Sequence, residues 1–179
     1  MPRTRGSPGP DAGSPDRVGV CFTHVVYVEA PRPIPVLGRC VFLAGGITGC
    51  PDWQAEAVAA LSDLDVVVLN PRRTTTPRQR DAAEQIGWEY HGLRRADLVL
   101  YWFPGSRSVQ PIALYELGAH AAGRKPIVVG ADPVYPRRAD VVLQLSHARP
   151  GLIVRDTLAA TVAEARRELA GNGLRATPP

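Results

Sequence analysis

The sequence predicts a doubly wound α/β domain in which helices cover both faces of a five-stranded parallel sheet. Several apolar runs show no alternation with polar residues, as is typical of strands that are buried on both faces. Each of these runs is followed by a segment with helical periodicity. A chain of 179 residues with 45% hydrophobic composition is long enough for one domain with a sizeable core. We therefore expect a three-layer, Rossmann-like (flavodoxin-like) architecture.

The predicted domain spans residues 18–170. Residues 1–17 are rich in Pro, Gly and charge and are expected to form a disordered leader, and residues 171–179 a flexible tail. The predicted strands are 23–30, 39–46, 65–70, 97–103 and 125–131, with a last short strand at 151–154. The predicted helices are 51–64, 77–96, 110–123, 139–148 and 157–169, of which the first begins at Pro-Asp and the third ends at Gly.

The predicted topology indicates where a ligand would bind. In open parallel sheets, ligands lie beyond the carboxyl ends of the strands, at the point where the strand order reverses. In the commonest small arrangement, the two strands at that point are 39–45 and 97–103. The loops that follow them, GGITG and PGSRSVQP, are then expected to face each other across one crevice.

Composition excludes several classes of function. The net charge of +4 comes mostly from scattered arginines, and no nucleic-acid-binding motif accompanies it. The three cysteines show neither metal-ligand spacing nor an even count, so we expect no disulfide framework, metal or organic cofactor. No apolar run is long enough to span a membrane. These features favour a cytoplasmic protein that acts on a small molecule rather than on nucleic acid or a membrane.

Glu116 is the single charged side chain in the apolar stretch SVQPIALYELGAH. An ionised carboxylate is costly to bury unless it is paired or used. On the predicted helix, a stripe that includes Ala113, Leu117 and Ala121 should pack on the sheet, with Glu116 to one side of it near the crevice. The residues alone leave two interpretations open, a functional carboxylate or a helix-dipole or ion-pair role.

The same helix predicts self-association. Its opposite face is also apolar and holds Ile112, Tyr115, Ala119 and Ala122. A helix that is apolar on two sides is usually buried on two sides. We therefore expect a homo-oligomer, a dimer or higher.

Four motifs in order resemble the nucleoside 2-deoxyribosyltransferase-like family, which includes relatives that hydrolyse the N-glycosidic bond of deoxynucleotides. The motifs are VFLAGGITGCPDWQ, VVVLNPRR, EQIGWEYHGLRRADLVLYWFP and PIALYELGAHAAGRKPIVVG, within residues 25–169. The resemblance implies a nucleoside or nucleotide substrate. It also implies that Glu116 is the nucleophile and that Glu89 assists proton transfer to the leaving base.

The resemblance further implies a set of residues around the substrate. Gly45 and Gly46 match the glycine-rich segment that lines the sugar pocket, and Asn70 and Arg72 match positions after a strand. The complete set of expected substrate-binding residues is Phe42, Gly45, Gly46, Asn70, Arg72, Trp88, Asp97 and Gln110. The well-studied transferases carry an acidic residue where this chain has Gln110 and a tyrosine where it has Phe42.

Three functions follow as alternatives. The first is cleavage or transfer of the base of a 2-deoxynucleoside or its 5′-monophosphate, through a glycosyl-enzyme on Glu116. The second is a non-catalytic nucleotide-binding or sensor module, for which Gln110 and Phe42 argue. The third is a glycohydrolase that releases nicotinamide from NAD.

Overall fold

The computed structural model describes residues 25–74 and 81–171. Within them the strands are β1 (Val26–Glu29), β2 (Cys40–Gly45), β3 (Val67–Asn70), β4 (Leu98–Phe103) and β5 (Ile127–Ala131). The helices are α1 (Trp53–Ala60), α2 (Ala82–Arg95), α3 (Pro111–Ala122), α4 (Arg138–Ala148) and α5 (Leu158–Gly171). The expected leader (1–17), the beginning of the expected domain and residues 172–179 of the expected tail lie outside the described residues, so those domain bounds stay predictions.

The predicted fold class is confirmed. All the strands pair in parallel in one five-stranded sheet with the order β1-β3-β2-β4-β5. Apolar residues of α2, α3 and α4 pack on one face of the sheet, and those of α1 and α5 pack on the other. The central strands are buried on both sides, which explains why their sequences are apolar throughout.

Local signals in the sequence explain where the helices begin. The side chain of Asp52 caps α1 by accepting a hydrogen bond from the backbone N–H of Ala55 at 3.2 Å. Pro111 occupies the first turn of α3, where its missing N–H costs nothing. Ala113, Leu117 and Ala121 of α3 are buried, as the helical periodicity predicts.

The predicted strand at 151–154 is wrong. Gly151, with φ +93°, ends the turn after α4, and Ile153 is exposed. The segment reaches the edge of β5 only at Arg155, which forms one bridge to Gly130. The sheet still has five strands, because β1 pairs with β3 at the opposite edge.

The strand order reverses at β2 and β4, as predicted. β2 pairs with β3 on one side and with β4 on the other, so the loops after β2 and β4 leave the same end of the sheet. A hydrogen-bond contact of 3.3 Å between Cys50 Sγ and Ser106 Oγ links the two loops. The crevice that the sequence predicts is therefore present.

The outer face of α3 is apolar and open to solvent in the single chain. Ile112 is 65% exposed and Tyr115 is 77% exposed. This exposure is what a subunit interface on α3 would require, and self-association stays a prediction. In the described part of the chain, no helix combines the length and the apolar character needed to cross a bilayer.

Candidate active site

A cleft of about 240 Å³ opens at the carboxyl end of the sheet, between α2 and α3. Its volume is below the roughly 300–1,000 Å³ that is typical of sites for drug-sized ligands, so it suits a small molecule or part of one. It is lined by Phe42, Ala44, Gly45, Gly46, Ile47, Thr48, Pro71, Glu89, Ser108, Gln110, Pro111, Ile112, Ala113 and Glu116. Two carboxylates, from two different helices, therefore share one cavity.

Glu116 lies about two turns into α3, beside the buried stripe of that helix. Among the described residues it accepts no hydrogen bond and forms no ion pair. Burial raises its pKa to about 7, and the negative charge of Glu89 adds to the rise. Such a carboxylate is desolvated and has no ion-pair partner among the described residues, which argues against a simple helix-dipole or ion-pair role.

Glu89 lies on α2, on the other side of the cleft. Burial raises its pKa, while a hydrogen bond from Gln85 and the positive charge of Arg73 act in the opposite direction. The Gln85 Nε2 donates to Glu89 Oε1 at 2.7 Å. Because Glu89 has a donor and a nearby cation and Glu116 has neither, Glu89 ionises first and Glu116 retains its proton to higher pH.

The apolar floor of the cleft is set by close packing between β2 and α2. Phe42 packs against Trp88 with ring centroids 5.9 Å apart and the ring planes tilted by 43°. A Cβ at Gly92 would lie 2.7 Å from the Phe42 ring, so only glycine lets α2 approach this closely. The floor of the cleft is therefore an apolar surface at Phe42.

The rim of the cleft is formed by backbone at the end of β2 and the start of α3. A Cβ at Gly46 would lie 2.6 Å from both Cys50 Sγ and Gln110 Cδ, so any larger residue there would have to displace these two side chains. Gln110 caps α3 in the left-handed region, with φ +50°, and its amide donates to Pro104 O at 3.4 Å. Its Oε1 is buried without a partner among the described residues.

The sequence of the chain also matches a known protein family. The family model described as "Nucleoside 2-deoxyribosyltransferase like" matches residues 38–135, which is more than half of the chain and includes both cleft carboxylates. The chain belongs to this family. No curated protein matches it.

Two residues that the family resemblance implies at the substrate, Asn70 and Arg72, lie outside the cleft lining and form hydrogen bonds within the scaffold of the site. Asn70 Nδ2 donates to Tyr27 Oη at 3.0 Å, and Asn70 Oδ1 accepts from the backbone N–H of Arg72 at 2.9 Å. The Arg72 guanidinium donates to Gln54 Oε1 at 2.9 Å and to Pro51 O at 2.8 Å. Arg72 thus fastens the loop after β2, and neither residue lines the cleft.

Trp88 and Asp97 also lie outside the cleft lining. Trp88 supports Phe42 from below and donates from Nε1 to Arg32 O at 2.8 Å. Asp97 stands at the amino end of β4, the opposite end of the strand from the cleft, where its Oδ2 accepts from the backbone N–H of Cys40 at 2.8 Å. The predicted strand 97–103 begins at Asp97, so the sequence already places this residue at the amino end of the strand.

A polar pair that the sequence did not predict, Tyr101 and His120, lies next to Glu116. Tyr101 Oη and His120 Nδ1 lie 2.6 Å apart in a hydrogen bond. Burial and the charge of Glu116 raise the pKa of Tyr101, while burial and Lys125 lower that of His120, so both stay uncharged near neutral pH. The available signal was a tyrosine within a fully buried strand, because a buried tyrosine hydroxyl needs a partner.

The titratable side chains that line the cleft are the carboxylates of Glu89 and Glu116. In the parts of the chain that the structure describes, no three His, Cys, Asp or Glu side chains are grouped so as to hold a metal ion. Glu116 can attack or stabilise an electrophilic carbon, and Glu89 can give or take a proton.

Replacing Glu116 with glutamine is expected to stabilise the protein at alkaline pH. Its pKa in the fold is about 7 against an ordinary 4.5, so folding favours the protonated form and stability falls as pH rises through this window. The free energy of unfolding of Glu116→Gln should exceed that of the parent by about 1–3 kcal/mol at pH 8 and by little at pH 4.5. Urea unfolding at both pH values measures this. The exposed Glu56→Gln is the control, and an equal difference at both pH values would contradict the expectation.

Proposed function

We propose that the protein cleaves or transfers the N-glycosidic bond of a 2-deoxynucleoside or its 5′-monophosphate. In this proposal Glu116 is the nucleophile and Glu89 is the general acid and base. The observation that supports it most is that two desolvated carboxylates, from α2 and α3, line one small cleft at the topological switch point of the sheet. Membership of the family supports the same class of substrate.

The first half of the reaction forms a glycosyl-enzyme. A Glu116 carboxylate oxygen attacks C1′ as the C1′–N bond breaks through an oxocarbenium-like state. The electron pair of that bond passes to the leaving base, which takes the proton of Glu89. Glu116 is largely buried in the cleft, so its charge acts in a lower dielectric than that of bulk water.

The second half releases the sugar. Glu89, now ionised, takes a proton from water or from the N–H of a second base. The oxygen or nitrogen so activated attacks C1′, and the bond to Glu116 breaks, which returns both carboxylates to their initial states. Water as the acceptor makes the protein a hydrolase, and a base as the acceptor makes it a transferase.

The lining of the cleft supports a deoxy sugar. Phe42, Ala44 and Ala113 form an apolar surface that has no side-chain partner for a hydroxyl group. A hydroxyl buried against it would lose its hydrogen bonds to water, whereas a methylene would not. Thr48, Ser108 and Gln110 at the rim provide polar contacts for the remaining sugar oxygens.

The rate of base release is expected to follow a bell-shaped pH profile whose alkaline limb lies near pH 7. The reaction needs one proton on the carboxylate pair, to protonate the leaving base, and one ionised oxygen, to attack C1′. Loss of the last proton, governed by a pKa of about 7, removes the acid. Measuring kcat/KM from pH 4.5 to 9 tests this, and a rate that keeps rising above pH 8 would contradict it.

Replacing Glu89 with glutamine is expected to slow the release of leaving groups that need a proton much more than the release of one that needs none. Release of a poor leaving group such as an unprotonated purine or pyrimidine should fall by about 10²–10⁴-fold, because general acid catalysis is lost. Cleavage of a 2-deoxyriboside of 4-nitrophenol, whose leaving group needs no proton, should be largely kept. Comparing the two substrates by absorbance gives the answer, and equal losses on both would rule out the acid role.

The experiment that tests the proposed function is a panel assay of free-base release from deoxynucleosides, their 5′-monophosphates and NAD, with and without an acceptor base. Release in water indicates a hydrolase, and exchange that depends on the acceptor indicates a transferase. Release from NAD alone would favour a glycohydrolase of another substrate class. Ligand binding with no release on any substrate would mean that the domain is a binding module, and the proposal would fall.

A further inference from the structure

Glu89 is held by a chain of hydrogen bonds that begins at Arg73, in the segment after β3. The Arg73 Nε donates to Gln85 Oε1, and Gln85 Nε2 donates to Glu89 Oε1 at 2.7 Å. The same amide nitrogen donates to Pro71 O at 2.9 Å. The Arg73 side chain is only 8% exposed, and its Nη2 pairs with Glu84 at 2.9 Å. Arg73 is thus fixed on both sides.

These hydrogen bonds fix the orientation of the Gln85 side-chain amide. A glutamine amide can turn over and exchange its oxygen for its nitrogen. Arg73 can only donate, so it requires Oε1, and the Pro71 carbonyl can only accept, so it requires Nε2. With both ends fixed, Gln85 always presents an N–H to Glu89. Glu89 must accept that bond, which its ionised form does best.

We propose that Arg73 and Gln85 are positioning residues that keep Glu89 as a hydrogen-bond acceptor and thereby leave the shared proton of the pair on Glu116 in the free protein. The catalytic meaning of this order rests on the proposed function. The order itself follows from the contacts, because Glu116 accepts no hydrogen bond among the described residues.

The other titratable groups near Glu89 and Glu116 do not change which of these two carboxylates holds the shared proton. Tyr101 of β4 and His120 of α3 satisfy each other and stay uncharged near neutral pH. On the α2 side, Arg73 and Glu84 form an ion pair that leaves the Gln85 contact intact. Of the described titratable groups that act on Glu116, Glu89 is the one that raises its pKa by charge.

The consequence for the reaction is a proton transfer that precedes attack. Glu116 must be ionised to attack C1′, so its proton moves across the cleft to Glu89, with no change in net charge. Glu116 is then ionised, as the nucleophile must be, and Glu89 is protonated, as the acid must be. The free protein therefore rests in the unproductive arrangement, and substrate binding is what selects the productive one.

The test is a titration of the free protein, labelled with ¹³C at the glutamate carboxyl carbons and followed by NMR. Glu89→Gln and Glu116→Gln assign the two signals. In the parent, the transition at higher pH should belong to Glu116. In Gln85→Leu, the Glu89 transition should rise by about one to two pH units and become the higher one, because a hydrogen bond to the charged form is lost.

Two further variants keep the test informative if Gln85→Leu folds poorly. Arg73→Gln removes the cation and frees the amide to turn, so the Glu89 transition should rise in the same direction. Arg73→Lys can still donate to Gln85 Oε1 and should restore the parent order. His91→Gln, at an exposed position of α2, is the control and should change nothing.

An unchanged order in both Gln85→Leu and Arg73→Gln would overturn the inference. The titration uses no substrate, so its outcome is separate from that of the proposed function. Base release together with an unchanged order would overturn the positioning role alone. A reversed order in a protein that releases no base would support the positioning role and remove the proposed activity.

Discussion

Base release by the Glu116→Ala variant is expected to be slower than that of the parent by about 10³-fold or more. Removing a nucleophile abolishes the covalent route, and what remains comes from binding and from the other groups of the site. Glu116 lies in the cleft with no structural partner among the described residues, so its removal should leave the fold intact. Single-turnover assays with a deoxynucleoside at pH 6 measure the loss.

The control for this variant is Glu56→Ala, which removes an exposed carboxylate from α1 and should keep full activity. Nucleoside binding by Glu116→Ala, measured by calorimetry, should be retained, because a nucleophile acts mainly in the transition state. A Glu116→Ala variant as active as the parent would refute the proposed mechanism. Loss of binding together with activity would instead indicate a positioning role.

Replacing Gly45 with alanine is expected to be among the most destabilising small substitutions in the chain. Gly45 has φ +144°, and a Cβ there would lie 2.0 Å from the backbone oxygen of Trp102 on the neighbouring strand. Because this neighbour is backbone, it cannot turn aside as a side chain would. The combined strain and overpacking should cost about 3 kcal/mol or more and lower Tm by about 6–12 °C.

Gly87→Ala is the matched control. Gly87 lies in α2, and a Cβ there meets nothing within 4 Å. This variant should be as stable as the parent or more stable by about 0.5–1 kcal/mol, since alanine is the better helix former. Differential scanning calorimetry on both variants provides the comparison. A Gly45→Ala variant as stable as Gly87→Ala would show that the ends of β2 and β4 yield more easily than their packing indicates.

Much of the fold could be predicted because it depends on local patterns. The continuous apolar runs of β2, β4 and β5 and the helical stripe of Ala113, Leu117 and Ala121 are visible in the sequence and are confirmed. The segment 151–154 is equally apolar but does not form a strand. Whether an apolar run joins a sheet depends on backbone partners along its whole length, and this segment meets β5 only at Arg155.

The candidate site was likewise predictable only in part from the sequence. The sequence by itself determined the fold class and the crevice at the strand reversal, and it singled out Glu89 and Glu116 as candidate site residues. Strand periodicity, helix spacing and motif order can all be read along the chain without knowledge of the fold. Only the tertiary structure decided that Asn70 bonds to Tyr27 and that Arg72 fastens the loop after β2, so that neither lines the cleft.

The protonation order of the carboxylate pair was also beyond the sequence. Glu116 lies in an apolar stretch and Glu89 follows Gln85 by four residues on a more polar helix, but these patterns do not show which carboxylate accepts a hydrogen bond in the fold. The difference arises because the segment after β3 brings Arg73 against Gln85, while no donor among the described residues reaches Glu116. Electrostatic energy depends on distances through space and on which atoms are left in contact with water, and only the folded chain fixes these.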